Sequence, residues 1–69
     1  FIALSARIAS ERRKDMEEAY RRTGDLDKAA AEQVKDFFDQ YPDYIISPDI
    51  MQGVFRQALR HVASAMESV

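Results

Sequence analysis

The sequence predicts an all-α chain of three helices over about residues 3–22, 26–41 and 48–68, either a small bundle or a helical fragment of a larger assembly. Apolar residues recur at helical spacing through each span, Gly24 and Pro42 interrupt the pattern, and Ser47-Pro48-Asp49 has the composition of a helix start.

In the first span, Leu4, Ile8, Ala9, Met16, Ala19 and Tyr20 share one broad face at 100° per residue, with Ser5 and Arg12 interrupting it. Oppositely charged residues four apart line the other side: Arg13 with Glu17, Lys14 with Glu18, Glu17 with Arg21 and Glu18 with Arg22. Each such pair adds ~0.2–0.5 kcal/mol to an isolated helix. Gly24 suits the left-handed position just past a helix end, and Asp25 can cap the next helix with its carboxylate. A tight helical hairpin follows.

The second span carries the cleanest periodicity, a stripe of Leu26, Ala30, Val34, Phe37, Phe38 and Tyr41. Pro42 ends it, because it lacks the N–H to continue a helix and disfavours helical geometry at Tyr41. Tyr44, Ile45 and Ile46 are too apolar for a free linker and are expected to fold back on the helices. Ser47 then serves as N-cap, Pro48 takes the first helical position where its missing N–H costs nothing, and Asp49 lies beside the positive end of the helix dipole. The third span places Ile50, Met51, Val54, Phe55, Ala58, Leu59, Val62, Ala65 and Met66 over about half the circumference, more than a single neighbour needs.

At 69 residues the chain has room for one domain, and one this small buries only ~60% of the surface its unfolded form would expose. Ten Lys and Arg against twelve Asp and Glu leave a net charge of −2, without the one-signed field that attracts nucleic acid or anionic membrane. There is no Cys, so disulfides and thiolate metal sites are excluded. No apolar run reaches the ~18 residues that suggest a bilayer span, and residues 1–8 do not have the pattern of a secretory signal. Phe1 in place of an initiating Met, and Val69 closing a pattern still running, suggest a single segment, residues 1–69, of a longer parent chain.

Catalysis requires convergent groups, and no spacing here provides them. His61 is the single histidine, at the edge of the third apolar face, and reads as structural. Asp36, Asp39, Glu17 and Glu18 lie on polar faces where solvation explains them, and no zinc, calcium or phosphate-loop pattern occurs. Neither a cofactor nor a metal is expected. Arg12, Arg13, Lys14, Arg21 and Arg22 alternate with acids and read as a salt-bridged face. Gln52, Arg56 and Arg60 form a polar row at four-residue spacing that would fit a major groove, although the Pro42–Pro48 connector is longer than the turn of a helix–turn–helix unit. Phe37 and Phe38 point about 100° apart, so one is available for an intermolecular contact. Gly53, on the polar side of the third helix, costs ~1 kcal/mol against Ala and would be explained by close approach of another backbone or equally by sequence drift.

The stretch Ala19-Tyr20-Arg21-Arg22-Thr23-Gly24-Asp25-Leu26-Asp27-Lys28-Ala29 resembles the turn inside a tetratricopeptide repeat, where a Tyr closes the first helix, Gly-Asp turns and a small Ala packs in the second. Glu17, Gln33 and Pro42 depart from that repeat, and the single copy implies a hairpin without a repeat array. From about Ala6 to Met66, the order of charged helix, Gly turn, helix ending at Pro and Pro-capped helix with Arg56 and Arg60 resembles helical segments of large bacteriophage internal virion (ejection) and polyvalent proteins. That resemblance implies a structural segment, located in the virion, that packs against other subunits or other parts of a long chain.

The residues thus favour a non-catalytic structural and interaction module with protein partners, in a homo-oligomer or larger assembly. Ile50, Val54, Phe55, Leu59, Val62 and Met66 would pack inward or across the interface, faced by Phe37, Phe38 and Tyr41. The alternative is a small nucleic-acid-binding domain using Gln52, Arg56 and Arg60.

Overall fold

The computed structural model describes residues 2–68 and contains four helices among them, α1 (Ile2–Glu11), α2 (Arg13–Thr23), α3 (Leu26–Gln40) and α4 (Pro48–Glu67). Phe1 and Val69, the two ends that suggest a longer parent chain, lie outside the described residues.

The expectation of three helices is therefore corrected to four, and the difference lies at one residue. Arg12 takes φ −118° and ψ 23°, outside the helical well, and divides the predicted span 3–22 into α1 and α2. Arg12 N–H still donates to Ile8 O at 2.9 Å and Met16 N–H to Arg12 O at 2.9 Å, so the ladder resumes on either side. No side chain caps the start of α2. Nothing local demands the break, since neither Gly nor Pro is present there. Tertiary packing is the cause: α1 lies against α4, whereas α2 lies against both α3 and α4.

The two hairpin turns follow local chemistry. Gly24, at φ 66° and ψ 15°, takes the left-handed position after α2 and donates its N–H to Tyr20 O at 2.8 Å. Asp25 Oδ1 accepts from the N–H groups of Asp27 at 2.8 Å and Lys28 at 3.2 Å, satisfying two of the free donors at the start of α3. Ser47 Oγ accepts from Ile50 N–H at 3.5 Å, a long bond, with Pro48 in the first turn of α4. Arg13 pairs with Glu17 at 3.1 Å along α2, while Arg22 crosses the turn to Glu32 at 2.7 Å. Glu32 accepts the Arg22 hydrogen bond and adds its own negative charge, which raises the guanidinium pKa above its ordinary value.

α4 packs against each of the other three helices. Its wide apolar face, which the sequence suggests is waiting for a partner, is filled by the same chain: Met51, Val54, Phe55, Ala58, Leu59, Val62 and Ala63 are all buried. Met16 and Ala19 reach the core from α2, Ala29, Ala30, Val34 and Phe37 from α3, and Ile8 from α1. A Cα radius of gyration of 11.2 Å matches the ~11 Å expected of a closed domain of this length, so the helices form a bundle and not an open array. α1 buries Ser5 and Ile8 and packs Leu4 and Ala9 against the core.

Candidate interaction surface

Around the end of α3, aromatic rings gather on Phe37. Tyr41 lies one turn along the helix with its ring 5.1 Å from that of Phe37, and Phe38 meets Phe37 edge to face at 5.4 Å. Pro42 then turns the chain, Tyr44 N–H donates to Tyr41 O at 3.2 Å, and the Tyr44 ring returns to within 4.7 Å of Phe37 at an interplanar angle of 87°. Phe55 of α4 closes the cluster from below at 5.7 Å. Edge-to-face pairs of this kind contribute ~0.5–1.5 kcal/mol beyond area burial, which gives the irregular connector a firm anchor.

The outer side of the cluster is uncovered. Tyr41 is 52% exposed, Tyr44 36% and Ile45 94%, and together with Gln40, Pro42 and Asp43 they border one open depression. Ile46 turns inward onto the core, but Ile45 does not, so the expected folding-back of the connector holds for Tyr44 and Ile46 and is corrected for Ile45. Beside the cluster, Leu4 and Ile8 of α1 face Phe37, Tyr41 and Tyr44 across a groove of about 280 Å3. At the groove's edge stands Arg12. Its guanidinium carbon is 5.4 Å from the Phe37 ring centre and 5.9 Å from that of Phe55, and Nη2 donates to Gln40 Oε1 at 3.3 Å. A charged residue that interrupts the apolar face is thus accommodated by ring faces.

The predicted interaction residues separate by burial. Phe37, Val54, Phe55, Leu59 and Val62 are buried within the chain, Phe38 and Met66 are half-buried against its core, and Tyr41 and Ile50 are exposed, Ile50 by 47%. Tyr44 and Ile45 are the surface residues that the sequence does not single out. Their signal is an apolar run in a connector, which also fits inward packing.

The polar row on α4 is partly engaged. Gln52 Nε2 donates to Asp27 O at 3.2 Å and Arg56 Nε donates to Asp27 Oδ1 at 2.7 Å, both tying α4 to the first turn of α3. Arg60 and His61 stay exposed. Together with Gly53, Arg56, Gln57 and Ser64 they border a depression lined by α4 alone, so no second element converges there. A Cβ added at Gly53 would meet nothing within 4 Å, and no close backbone approach accounts for that glycine.

Among the described residues no group of three or more His, Asp or Glu is placed to hold a metal ion, and no helix is long and apolar enough to cross a membrane. Among the described residues, the buried Ser5 Oγ and Gln33 Oε1 have no hydrogen-bond partner. No protein family, curated protein or solved structure matches the chain.

Proposed function

We propose that this chain is a non-catalytic helical module that binds another protein through the patch of Tyr41, Tyr44 and Ile45. The observation that carries this reading is Ile45, 94% exposed between a tyrosine-rich helix end and the start of α4. A single exposed aliphatic residue means little, but two half-open tyrosine rings border the same depression, and Tyr is a residue type that protein interfaces favour. The rings beneath are held by Phe37, so the patch is largely ordered before a partner arrives. Preordering of that kind lowers the entropic cost of binding.

Photo-crosslinking in the source cell tests the proposal. A photoreactive amino acid in place of Ile45 should capture a discrete protein that one in place of the exposed Arg21 does not, and Tyr41→Ser should lower the yield. Equal capture from both positions would overturn the reading.

The narrower assignment is to a phage virion protein of the internal or ejection type. Its support is the spacing of the breaks at Gly24, Pro42 and Pro48 in the sequence. Peptides of this chain should then occur in purified particles, and their absence would end it. Nucleic-acid binding through Gln52, Arg56 and Arg60 is the weaker alternative, because two of those three side chains are occupied by Asp27.

A further inference from the structure

We propose that the protein partner presents an acidic segment, which sets a carboxylate on the Arg12 guanidinium and one apolar side chain in the groove between α1 and the aromatic cluster. The inference rests on the binding role proposed above and assigns the chemistry of that partner.

Two depressions share the tyrosines. Tyr41 and Tyr44 border both the groove, where Leu4, Ile8 and Arg12 join them, and the outer depression that holds Ile45. A partner that covers Ile45 and the tyrosines is therefore within reach of the groove. At about 280 Å3 the groove falls below the ~300–1,000 Å3 of sites that enclose a whole small-molecule ligand, and it suits a single side chain. Leu4, Ile8, Phe37 and the tyrosine rings line it, so that side chain is apolar.

Charge decides what stands beside it. The charged residues on the groove are Arg7, Glu11 and Arg12. Arg7 and Glu11 pair with each other at 3.2 Å, which leaves the groove a positive charge at Arg12 in a chain whose total is −2. Among the described residues, Arg7, Arg13, Arg22 and Arg56 each meet a carboxylate. Half-buried Arg12 instead has the neutral Gln40 Oε1 at 3.3 Å and the rings of Phe37 and Phe55. A guanidinium offers its N–H donors as a planar fork, which a carboxylate meets with paired bonds. The rings also keep water from part of the Arg12 side chain, so solvent screens such a pair less than one in the open. Asp43 borders the outer depression and disfavours a second carboxylate there. The segment is thereby oriented, with its acidic residue toward α1 and its apolar residues over Tyr44 and Ile45.

A yeast-displayed library of random dodecapeptides, selected on the immobilised chain, is the probe. The selected sequences should carry Asp or Glu beside a large apolar residue. Replacing the carboxylates of the best selected peptide by amides should weaken its binding by about tenfold or more, Arg12→Gln should do the same, and added salt should weaken the parent peptide. The amide peptide leaves the chain unaltered, and helical circular dichroism follows the folding of Arg12→Gln. A photoreactive leucine analogue in place of Leu4 should crosslink the parent peptide. No selectable peptide, selected sequences without an excess of acids, an amide peptide bound as tightly as its parent, or no crosslink from Leu4 would each overturn the proposal. Protein capture from Ile45 that persists undiminished in Arg12→Gln would overturn this proposal alone, whereas equal capture from Ile45 and Arg21 would overturn the patch on which it rests.

Discussion

Arg56 reaches from α4 to the first turn of α3 and sets its Nε 2.7 Å from Oδ1 of Asp27, with both side chains about half exposed or more. The pair orients two helices more than it stabilises them, because solvent screens it. A double-mutant cycle with Asp27→Ala and Arg56→Ala should give a coupling below about 1 kcal/mol in chemical denaturation. Asp27→Ala alone also frees Arg56, so the same variant tests the polar row. We expect no salt-dependent binding to duplex DNA from either form, and clear binding by the variant at low salt would revive the nucleic-acid reading.

Replacing Gly53 by Ala should stabilise the chain. The position is helical, exposed and open to a Cβ, so the substitution removes a propensity cost without creating a clash. A gain of about 1 kcal/mol is expected, which raises the melting temperature by roughly 4–8 °C in a domain of this size.

Gly24 should show the opposite sign. A Cβ there has room but sits at φ 66°, a backbone region that costs an L-residue roughly 1–2 kcal/mol. Gly24→Ala should therefore lower the melting temperature by several degrees, while Gly24→Asn should lose less.

Phe55 and Leu59 lie wholly inside the core where α4 meets its neighbours. Phe55→Ala should cost about 3–5 kcal/mol and Leu59→Ala about 2–5 kcal/mol, enough to unfold a marginal small domain, and Leu59→Asp should leave no cooperative melt. Ile45→Ser, in contrast, should leave the melting temperature within a degree or two while weakening capture of a partner. Equal destabilisation by Ile45→Ser and Phe55→Ala would contradict the burial described here.

What could be read from the sequence was whatever a few neighbouring residues decide. The turn at Gly24-Asp25, the stop before Pro42 and the start at Ser47-Pro48 depend on φ preferences and caps, and the structure places them there. The break at Arg12 depends on where α3 and α4 lie, and its own stretch of sequence argues for a continuous helix. The width of the α4 apolar face was visible, but its neighbours were not: periodicity measures how much surface must be covered and says nothing of whether one foreign helix or three helices of the same chain cover it. For the same reason Ile45 and Ile46, adjacent and chemically alike, could not be told apart before the turn at Pro42 set their directions.

The helix that organises the bundle is also the one synthesised after the other three. Until α4 has left the ribosome, Ile8, Met16, Ala30 and Phe37 lack the surface that shelters them, and α1, α2 and α3 must wait as a loosely joined hairpin with an arm. At the usual ~5–20 residues per second, that wait is on the order of a second or more. Slower translation through residues 48–67 would lengthen that interval.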